Sequence, residues 1–300
     1  MQYIRTDVFV TNLNYNRFET NFIKALIKNL SFNENIIKFI ENPKKRNSEI
    51  DSLISDPKFG KPKKTIIENN MFEDLYEHQI ISFYMSVIRE GKCILSDETV
   101  TGRAGKSLTA ITVMAYFRED WPLVIVCKKE RKNYWSDELL AAFNDDKELR
   151  ISIINDVKDI YVYPKPFHDI MVIDYDLYYQ IKDTISFLNL KIKAYIFEDQ
   201  CRGIETTSNR QWKGLSDCFD NLKKALRIVF ISSKEIPLNN CKRLWPLLHI
   251  LDPILFEDYD KFIVRYDLED LSEDDPKRHQ LIKELQILLR STFLIKNNCD

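Results

Sequence analysis

Short, continuous apolar runs separated by longer amphipathic segments constrain the fold of this chain more than any other feature. Six runs rich in β-branched and aromatic residues are each bounded by polar residues. A short apolar run of this kind fits a strand that is covered on both faces, as in a parallel sheet. The runs lie at residues 93–96, 123–127, 151–154, 170–174, 194–198 and 227–232.

Helical periodicity fills the intervals between these runs. Alternating strands and helices predict an α/β fold, in which a mostly parallel sheet carries helices on both faces and right-handed crossovers join the strands. The 300 residues, 44% of them hydrophobic and 30% charged, suffice for a sizeable core. The predicted helices lie at residues 108–117, 134–143, 177–188 and 212–222.

Charge, hydropathy and cysteine usage exclude several classes of protein. Lys and Arg number 44 against 46 Asp and Glu, so no overall positive charge attracts nucleic acid or membrane. No apolar run approaches the ~20 residues that cross a bilayer. Six cysteines occur without a CxxC pair, which indicates a reduced, intracellular compartment. The four histidines share no metal-ligand spacing with them, so a zinc site is not expected.

A glycine-containing loop follows the first predicted strand and carries the first candidate site. It ends in Gly105, Lys106 and Ser107, directly before a predicted helix. This is the context of a phosphate-binding loop, where backbone amides surround a phosphate, the Lys reaches the terminal phosphates and the Ser hydroxyl binds Mg²⁺. The alternative is an ordinary glycine turn that starts a helix, because Val100 stands where the standard spacing places the first glycine.

Several segments, taken in order, resemble SWI/SNF-type remodelling and translocating ATPases of the helicase superfamily. The most specific is RIVFISSKEIPLNNCKRLWPLLHILDPILF at residues 227–256. The resemblance covers about residues 71–298 and implies one RecA-like P-loop NTPase lobe, whose family needs a second lobe to supply arginines across the nucleotide cleft. The other segments are LYEHQ (75–79), SDE (96–98), VIVCKKERKNYWSDEL (124–139), VIDYDLY (172–178), YIFEDQC (195–201) and LLRSTFLIKNN (288–298).

The resemblance implies a site for ATP and Mg²⁺ and an adjacent DNA-binding loop. Asp199 is expected to orient the attacking water, while Ser107 and Glu198 are expected to hold Mg²⁺. The four cations after the second strand can neutralise DNA phosphates, although a solvated loop would have the same composition. The expected nucleotide ligands are Gln79 at the adenine and Gly102, Gly105, Lys106 and Ser107 at the phosphates, and the expected DNA ligands are Lys128, Lys129, Arg131 and Lys132.

Three motifs depart from the family pattern together. The phosphate loop has three residues more than usual between Glu98 and Lys106, and the usual Asp-Glu pair is inverted to Glu198-Asp199. The family's next His is Cys201, and the third motif is altered at residues 232–235. Because a misplacement of about 1 Å can lower a rate on the order of a hundredfold, we expect ATP hydrolysis to be severely impaired.

Three hypotheses about function therefore stay open. The first is a DNA- or chromatin-associated, nuclear pseudoenzyme with weak or absent hydrolysis, for which DNA repair is one setting. The second is a working ATP-binding lobe that needs a second lobe, and the third is a protein-interaction module. The predicted regions are a helical extension and basic linker at 1–67, the ATP-binding lobe at 68–253, and a helical protrusion leading toward a second lobe at 254–300.

Overall fold

A seven-stranded parallel sheet forms the centre of the part of the chain that the computed structural model describes. That part comprises residues 71, 75–96, 105–144, 146–161, 168–187, 192–199, 222, 224–232, 236, 238, 240–269, 271–292 and 294–295. The strands are β1 (Lys92–Ser96), β2 (Leu123–Cys127), β3 (Ile151–Ile154), β4 (Ile170–Asp174), β5 (Ala194–Glu198), β6 (Arg227–Ser232) and β7 (Leu294–Ile295).

The helices within these ranges alternate with the strands as far as β5, and three helices in succession separate β6 from β7. Short 3₁₀ turns at Arg118–Asp120 and Lys129–Arg131 precede β2 and α3 respectively. The helices are α1 (Glu77–Ile88), α2 (Lys106–Tyr116), α3 (Lys132–Ala142), α4 (Lys158–Tyr161), α5 (Tyr175–Phe187), α6 (Cys241–Leu251), α7 (Tyr259–Tyr266) and α8 (Pro276–Thr292).

The central strand of the sheet is β5. Across the sheet the order is β3-β4-β2-β5-β6-β1-β7, and every neighbouring pair is parallel. All residues of β2, β4 and β5 are buried, as expected of strands that helices cover on both faces. The predicted α/β fold with a mostly parallel sheet is confirmed.

Each of the six apolar runs forms a strand whose bounds agree with the prediction to within one residue. Helices were predicted at 108–117, 134–143 and 177–188, and α2, α3 and α5 begin two residues before each of these ranges. The helical extension and basic linker expected at residues 1–67 lie outside the described residues. The same holds for the helix expected at 212–222, apart from residue 222.

The region after residue 253 is largely helical, but its end returns to the sheet. Glu284 of α8 is buried and accepts hydrogen bonds from Arg265 Nε (2.6 Å) and Tyr266 Oη (2.9 Å), which join α8 to α7. Beyond α8, Leu294 and Ile295 pair with Ile94 and Leu95 as strand β7. The sequence analysis did not predict this strand. The region boundaries at residues 67 and 253 stay predictions.

Two further expectations concern the surroundings of the protein. Among the described residues, no helix is both long enough and apolar enough to span a lipid bilayer. Cys93, Cys127 and Cys241 are buried and carry free thiols.

Candidate nucleotide site

Polar side chains lie at the carboxyl ends of three neighbouring strands. In the parallel register, Ser96 of β1 lies beside Ser232 of β6, and Glu198 of β5 lies beside Ile231. The side chains of Ser96, Glu198 and Ser232 are all buried. Open α/β sheets bind ligands in the crevice outside the carboxyl ends of their strands. Glu198, the predicted metal ligand, therefore lies at the edge of the sheet where such folds bind ligands.

The start of α2 is held to α1 by one carboxamide. Gly105 precedes the helix with φ +60° and ψ 24°, a left-handed conformation that favours glycine. Gln79 Nε2 donates to the Gly105 carbonyl (3.0 Å), while Gln79 Oε1 accepts from the Tyr76 amide (2.7 Å). Gln79 is buried, and each of its polar atoms can make more than one hydrogen bond. The prediction that it contacts adenine stays a prediction.

Lys106 and Ser107 are the first two residues of α2, at the helix end where backbone N–H groups favour anions. The Ser107 hydroxyl accepts a long hydrogen bond from Tyr134 Oη (3.4 Å), which comes from α3. Residues 97–104, which include Gly102 and the lengthened loop, lie outside the described residues. The structure thus places Gly105, Lys106 and Ser107 together with Gln79.

Both carboxylate oxygens of Glu198 accept hydrogen bonds from one segment, Arg131 to Trp135. Arg131 donates to Oε1 through Nε (3.1 Å) and Nη2 (2.8 Å), and Trp135 Nε1 donates to Oε2 (3.1 Å). The Trp135 side chain is fully buried and Glu198 nearly so. A charge-assisted contact of this kind is stronger than a neutral hydrogen bond. Glu198, the predicted metal ligand, is therefore held by a cation of the chain itself.

Arg131 is fixed from a second side by an aromatic ring. Its guanidinium carbon lies 3.6 Å from the centroid of the Tyr134 ring, a cation–π arrangement. Burial opposes the charge on Arg131, but hydrogen bonding to Glu198 and attraction by its carboxylate outweigh burial and hold the pKa of Arg131 above its ordinary value. The guanidinium stays charged at any pH at which the protein is folded.

Asp199, the expected water-orienting residue, stands in a left-handed backbone conformation. Its φ is +56°, a region that Asp enters more readily than most residues. Its N–H donates to the Ile231 carbonyl (2.7 Å), which extends the contact between β5 and β6 by one residue. Lys128 Nζ lies 3.7 Å from Asp199 Oδ2. Each carboxylate of the inverted Glu198-Asp199 pair thus has a cation from the 128–131 segment beside it.

The four cations predicted to contact DNA occupy different environments. The ammonium group of Lys132 is buried and lies 2.9 Å from Asp174 Oδ2, 3.1 Å from the Ile154 carbonyl and 2.7 Å from Asn155 Oδ1. Arg131 and Lys128 contact Glu198 and Asp199, as described above. Lys129 is exposed. The structure therefore does not bring the four charges together on one surface, and their contact with DNA stays a prediction.

The residues expected to hold Mg²⁺ are chemically suitable but already engaged. Carboxylate and hydroxyl oxygens are preferred ligands of this ion, and Ser107 and Glu198 supply them. Yet three donors already occupy the Glu198 oxygens, and one of the donor groups is a cation. No group of three or more potential metal-ligating side chains occurs among the described residues. As they stand in this structure, these residues do not fit a divalent metal.

Tyr134 and Trp135 are the site residues that the sequence analysis missed. Trp135 is fully buried, and its bond to Glu198 was not foreseen. Tyr175 is another, because its hydroxyl donates to the backbone carbonyl of Glu198. Arg131, Tyr134 and Trp135 recur at the i, i+3, i+4 spacing that puts side chains on one helix face. That spacing was the available signal.

The sequence profile of the SNF2-related domain matches residues 76–298. This chain belongs to the SNF2-related family. The matched range begins at Tyr76 and extends past β7, so it contains every strand of the sheet. The proposed resemblance to SWI/SNF-type ATPases is thereby confirmed.

Similar proteins agree with this membership. A Caenorhabditis elegans homolog of SWI/SNF-related matrix-associated actin-dependent regulator of chromatin subfamily A-like protein 1 is 25% identical over 67% of this SNF2-related chain and 28% of its own length. The chromatin-remodeling ATPase INO80 of Candida albicans is 26% identical over 78% of the chain and 18% of its own length. The chain thus spans less than a third of these two relatives.

Solved structures support the RecA-like fold of this SNF2-related chain. The SWI2/SNF2 ATPase core of Sulfolobus solfataricus, solved in complex with dsDNA, superposes with a TM-score of 0.53 at 17% identity, over 75% of this chain and 44% of that one. The same core domain solved separately gives a TM-score of 0.53 at 19% identity. At this level of identity, the agreement concerns the fold, and it covers less than half of the core.

Proposed function

We propose that this chain is a DNA- or chromatin-associated SNF2-type lobe that hydrolyses ATP weakly or not at all. The observation that carries the proposal is the engagement of both Glu198 oxygens by Arg131 and Trp135. Phosphoryl transfer depends on metal ions that neutralise developing charge and on a positioned water. A Glu198 held by an internal cation, beside an Asp199 paired with Lys128, is poorly arranged for either task.

DNA association is supported by the family and by one exposed cation. The Sulfolobus relative was solved with dsDNA, and the two curated relatives are named for chromatin, which also supports a nuclear location. Lys129 is exposed on the 3₁₀ turn between β2 and α3. Our proposal therefore assigns the phosphate contact to Lys129 first and to Lys128 second, since Arg131 and Lys132 serve internal partners.

Phosphate release by the purified chain tests the proposed lack of turnover. We expect the rate to be the same with and without dsDNA and the same in the Lys106→Ala variant, because the metal ligand is engaged. Released phosphate is measured continuously in Mg²⁺ and ATP. DNA-stimulated release that disappears in Lys106→Ala would contradict the proposal and favour a functional ATPase lobe.

Salt-dependent DNA binding tests the second part. We expect Lys129→Ala to weaken binding to any dsDNA sequence and to reduce the slope of log affinity against log salt by about 1, because one phosphate contact is lost. Fluorescence anisotropy of a labelled duplex measures this slope. Lys277→Ala removes an exposed cation from the first turn of α8 and is the matched control. Equal slopes for wild type and Lys129→Ala would remove Lys129 from the DNA interface.

A functional lobe that needs a second lobe is the other candidate, and one observation favours it. Gln79 still holds Gly105 at the start of α2, so Lys106 and Ser107 keep a defined position. If this candidate is correct, mixing the chain with a second lobe purified from an SNF2 relative produces phosphate release that depends on Lys106. The interaction-module hypothesis concerns residues outside the described ranges.

A further inference from the structure

Glu198, the predicted metal ligand, lies against a cation of the chain itself. We propose that the guanidinium of Arg131 takes the place of a divalent metal at Glu198 and excludes such a metal from it. The inference rests on the proposed function and gives it a cause, because it assigns the loss of metal chemistry to one side chain. It concerns Arg131, Glu198 and the aromatic residues that fix them.

Most of the lone pairs of Glu198 are already used by N–H donors of the chain. A carboxylate offers about four acceptor positions on its two oxygens, and three N–H donors from Arg131 and Trp135 already use them. A metal such as Mg²⁺ would need an oxygen at about 2.0–2.1 Å in near-octahedral geometry. To admit it, the guanidinium must leave Oε1. A metal therefore cannot bind Glu198 beside the guanidinium and must first displace it.

The position of Arg131 is the second argument. The Tyr134 ring lies against the guanidinium at 3.6 Å, while Trp135, one turn along the same helix face, is buried and bonded to the other Glu198 oxygen. Arg131 is about one-third exposed, but it has contacts on two sides. A rigid planar guanidinium with two N–H groups on one oxygen loses less freedom per bond than an ammonium would. The geometry makes it a resident group of the site.

The local charge is the third argument. Glu198 and Asp199 carry two negative charges, and Arg131 and Lys128, at 2.8 and 3.7 Å from them, carry two positive charges. The four groups cancel in formal charge, so the carboxylates offer little net attraction to a divalent cation. A metal next to Glu198 would also be repelled by the guanidinium at short range. Both the local charge and the geometry therefore disfavour a divalent metal at Glu198.

The second predicted metal ligand is reached by the same segment. Tyr134 Oη donates to Ser107 Oγ (3.4 Å), and the Tyr134 ring supports Arg131. A continuous series of contacts thus runs from Ser107 through Tyr134 and Arg131 to Glu198. The start of α3 thus contacts both Ser107 and Glu198, the two residues predicted to hold Mg²⁺.

Terbium luminescence tests the inference without nucleotide and without turnover. Tb³⁺ is a hard cation that takes oxygen ligands, and its emission is sensitised by a nearby indole, here Trp135 beside Glu198. We expect wild type and Glu198→Gln to give the same indole-sensitised emission, because Glu198 does not take the ion in wild type. We expect Arg131→Gln to gain a saturable emission below about 1 mM Tb³⁺, which Mg²⁺ competes away and which the added Glu198→Gln change removes.

Matched variants separate charge from geometry. Lys277→Gln removes an exposed cation from the first turn of α8 and should leave the wild-type emission unchanged. Arg131→Lys keeps the positive charge but has fewer N–H donors, and we expect its Tb³⁺ emission to equal that of wild type. Equal emission from wild type and Arg131→Gln, whether both are bright or both dark, would overturn the proposal. If Arg131→Gln does not fold, the wild-type comparison with Glu198→Gln still decides, since emission that depends on Glu198 contradicts it.

The terbium experiment and the phosphate-release experiment can fail independently of each other. Wild-type emission that disappears in Glu198→Gln overturns the exclusion of metal by Arg131 and leaves the proposed lack of phosphate release standing. If the chain shows no Glu198-dependent Tb³⁺ emission but releases phosphate in a Lys106-dependent way, the proposed function is overturned and the exclusion of metal by Arg131 is not.

Discussion

Replacing Lys132 by methionine is expected to lower the free energy of unfolding by about 3–5 kcal/mol, because it breaks a buried ion pair and leaves one charge without its partner. The Lys132 ammonium group has three oxygen partners, and Asp174 Oδ2 at 2.9 Å is the charged one. Methionine keeps the unbranched apolar stem and removes the charge. Asp174 would keep the hydrogen bond from the backbone N–H of Leu177, at 3.0 Å, and a weaker attraction to Lys129.

Urea denaturation of Lys132→Met beside Lys129→Met measures this loss. Lys129 is exposed and three residues away, so its replacement should change stability by less than about 0.5 kcal/mol. Adding Asp174→Asn should recover part of the loss, because the uncompensated carboxylate is removed. A Lys132→Met variant as stable as Lys129→Met would show that this ammonium group is solvated and available at the surface, as a DNA contact requires.

The pH dependence of stability should change in the same variant. Burial raises the pKa of Asp174, but hydrogen bonds from Lys132 and the Leu177 N–H outweigh burial and hold it below its ordinary value of 3.8. The folded state therefore binds this proton less readily than the unfolded state. The stabilisation is present above about pH 4 and is lost as the pH falls through the folded pKa. In Lys132→Met that acid-dependent part should shrink, which unfolding curves at pH 3–6 would measure.

Gly105→Ala should lower the free energy of unfolding by about 2–3 kcal/mol. The left-handed conformation at φ +60° contributes about 1–2 kcal/mol of this for a residue with a Cβ. An added Cβ would also overlap Gln79 Nε2, so the buried carboxamide must move and lose its bond to the Gly105 carbonyl, which is worth about 1 kcal/mol.

A double-mutant cycle separates the two causes. Gln79→Ala removes the atom that the new Cβ would meet, so the double variant should be more stable than the sum of the single losses predicts, by at least about 1 kcal/mol. The backbone strain should remain in both backgrounds. Additive losses would mean that Gln79 does not touch the start of α2, and the proposed position of Lys106 and Ser107 would lose its support.

The fold was largely predictable because local pattern decides it. Residues 123–127 and 194–197 are apolar throughout, and a strand covered on both faces buries such a short run completely. Strand β7 was missed because two residues, Leu294 and Ile295, are too short to carry a pattern.

The candidate site was predictable in its components and not in its contacts. The bond between Arg131 and Glu198 joins residues 67 positions apart, and the order of strands in the sheet brings them together. A basic loop after a strand has the same composition whether its charges face solvent, DNA or a buried carboxylate. Sequence alone therefore placed Arg131 and Lys132 with Lys129, and the structure separates them by their partners.

The position of β1 in the sheet has a consequence for biosynthesis. This strand is the first of the sheet along the chain, but its partners β6 and β7 are among the last, and Lys92 pairs with Ile228. At ~5–20 residues per second of translation, the apolar segment Cys93, Ile94 and Leu95 waits roughly 7–27 s for β6 to be made. During that interval an uncovered strand edge is open to pairing with other chains. The nascent chain should therefore depend on chaperones until β6 is synthesised.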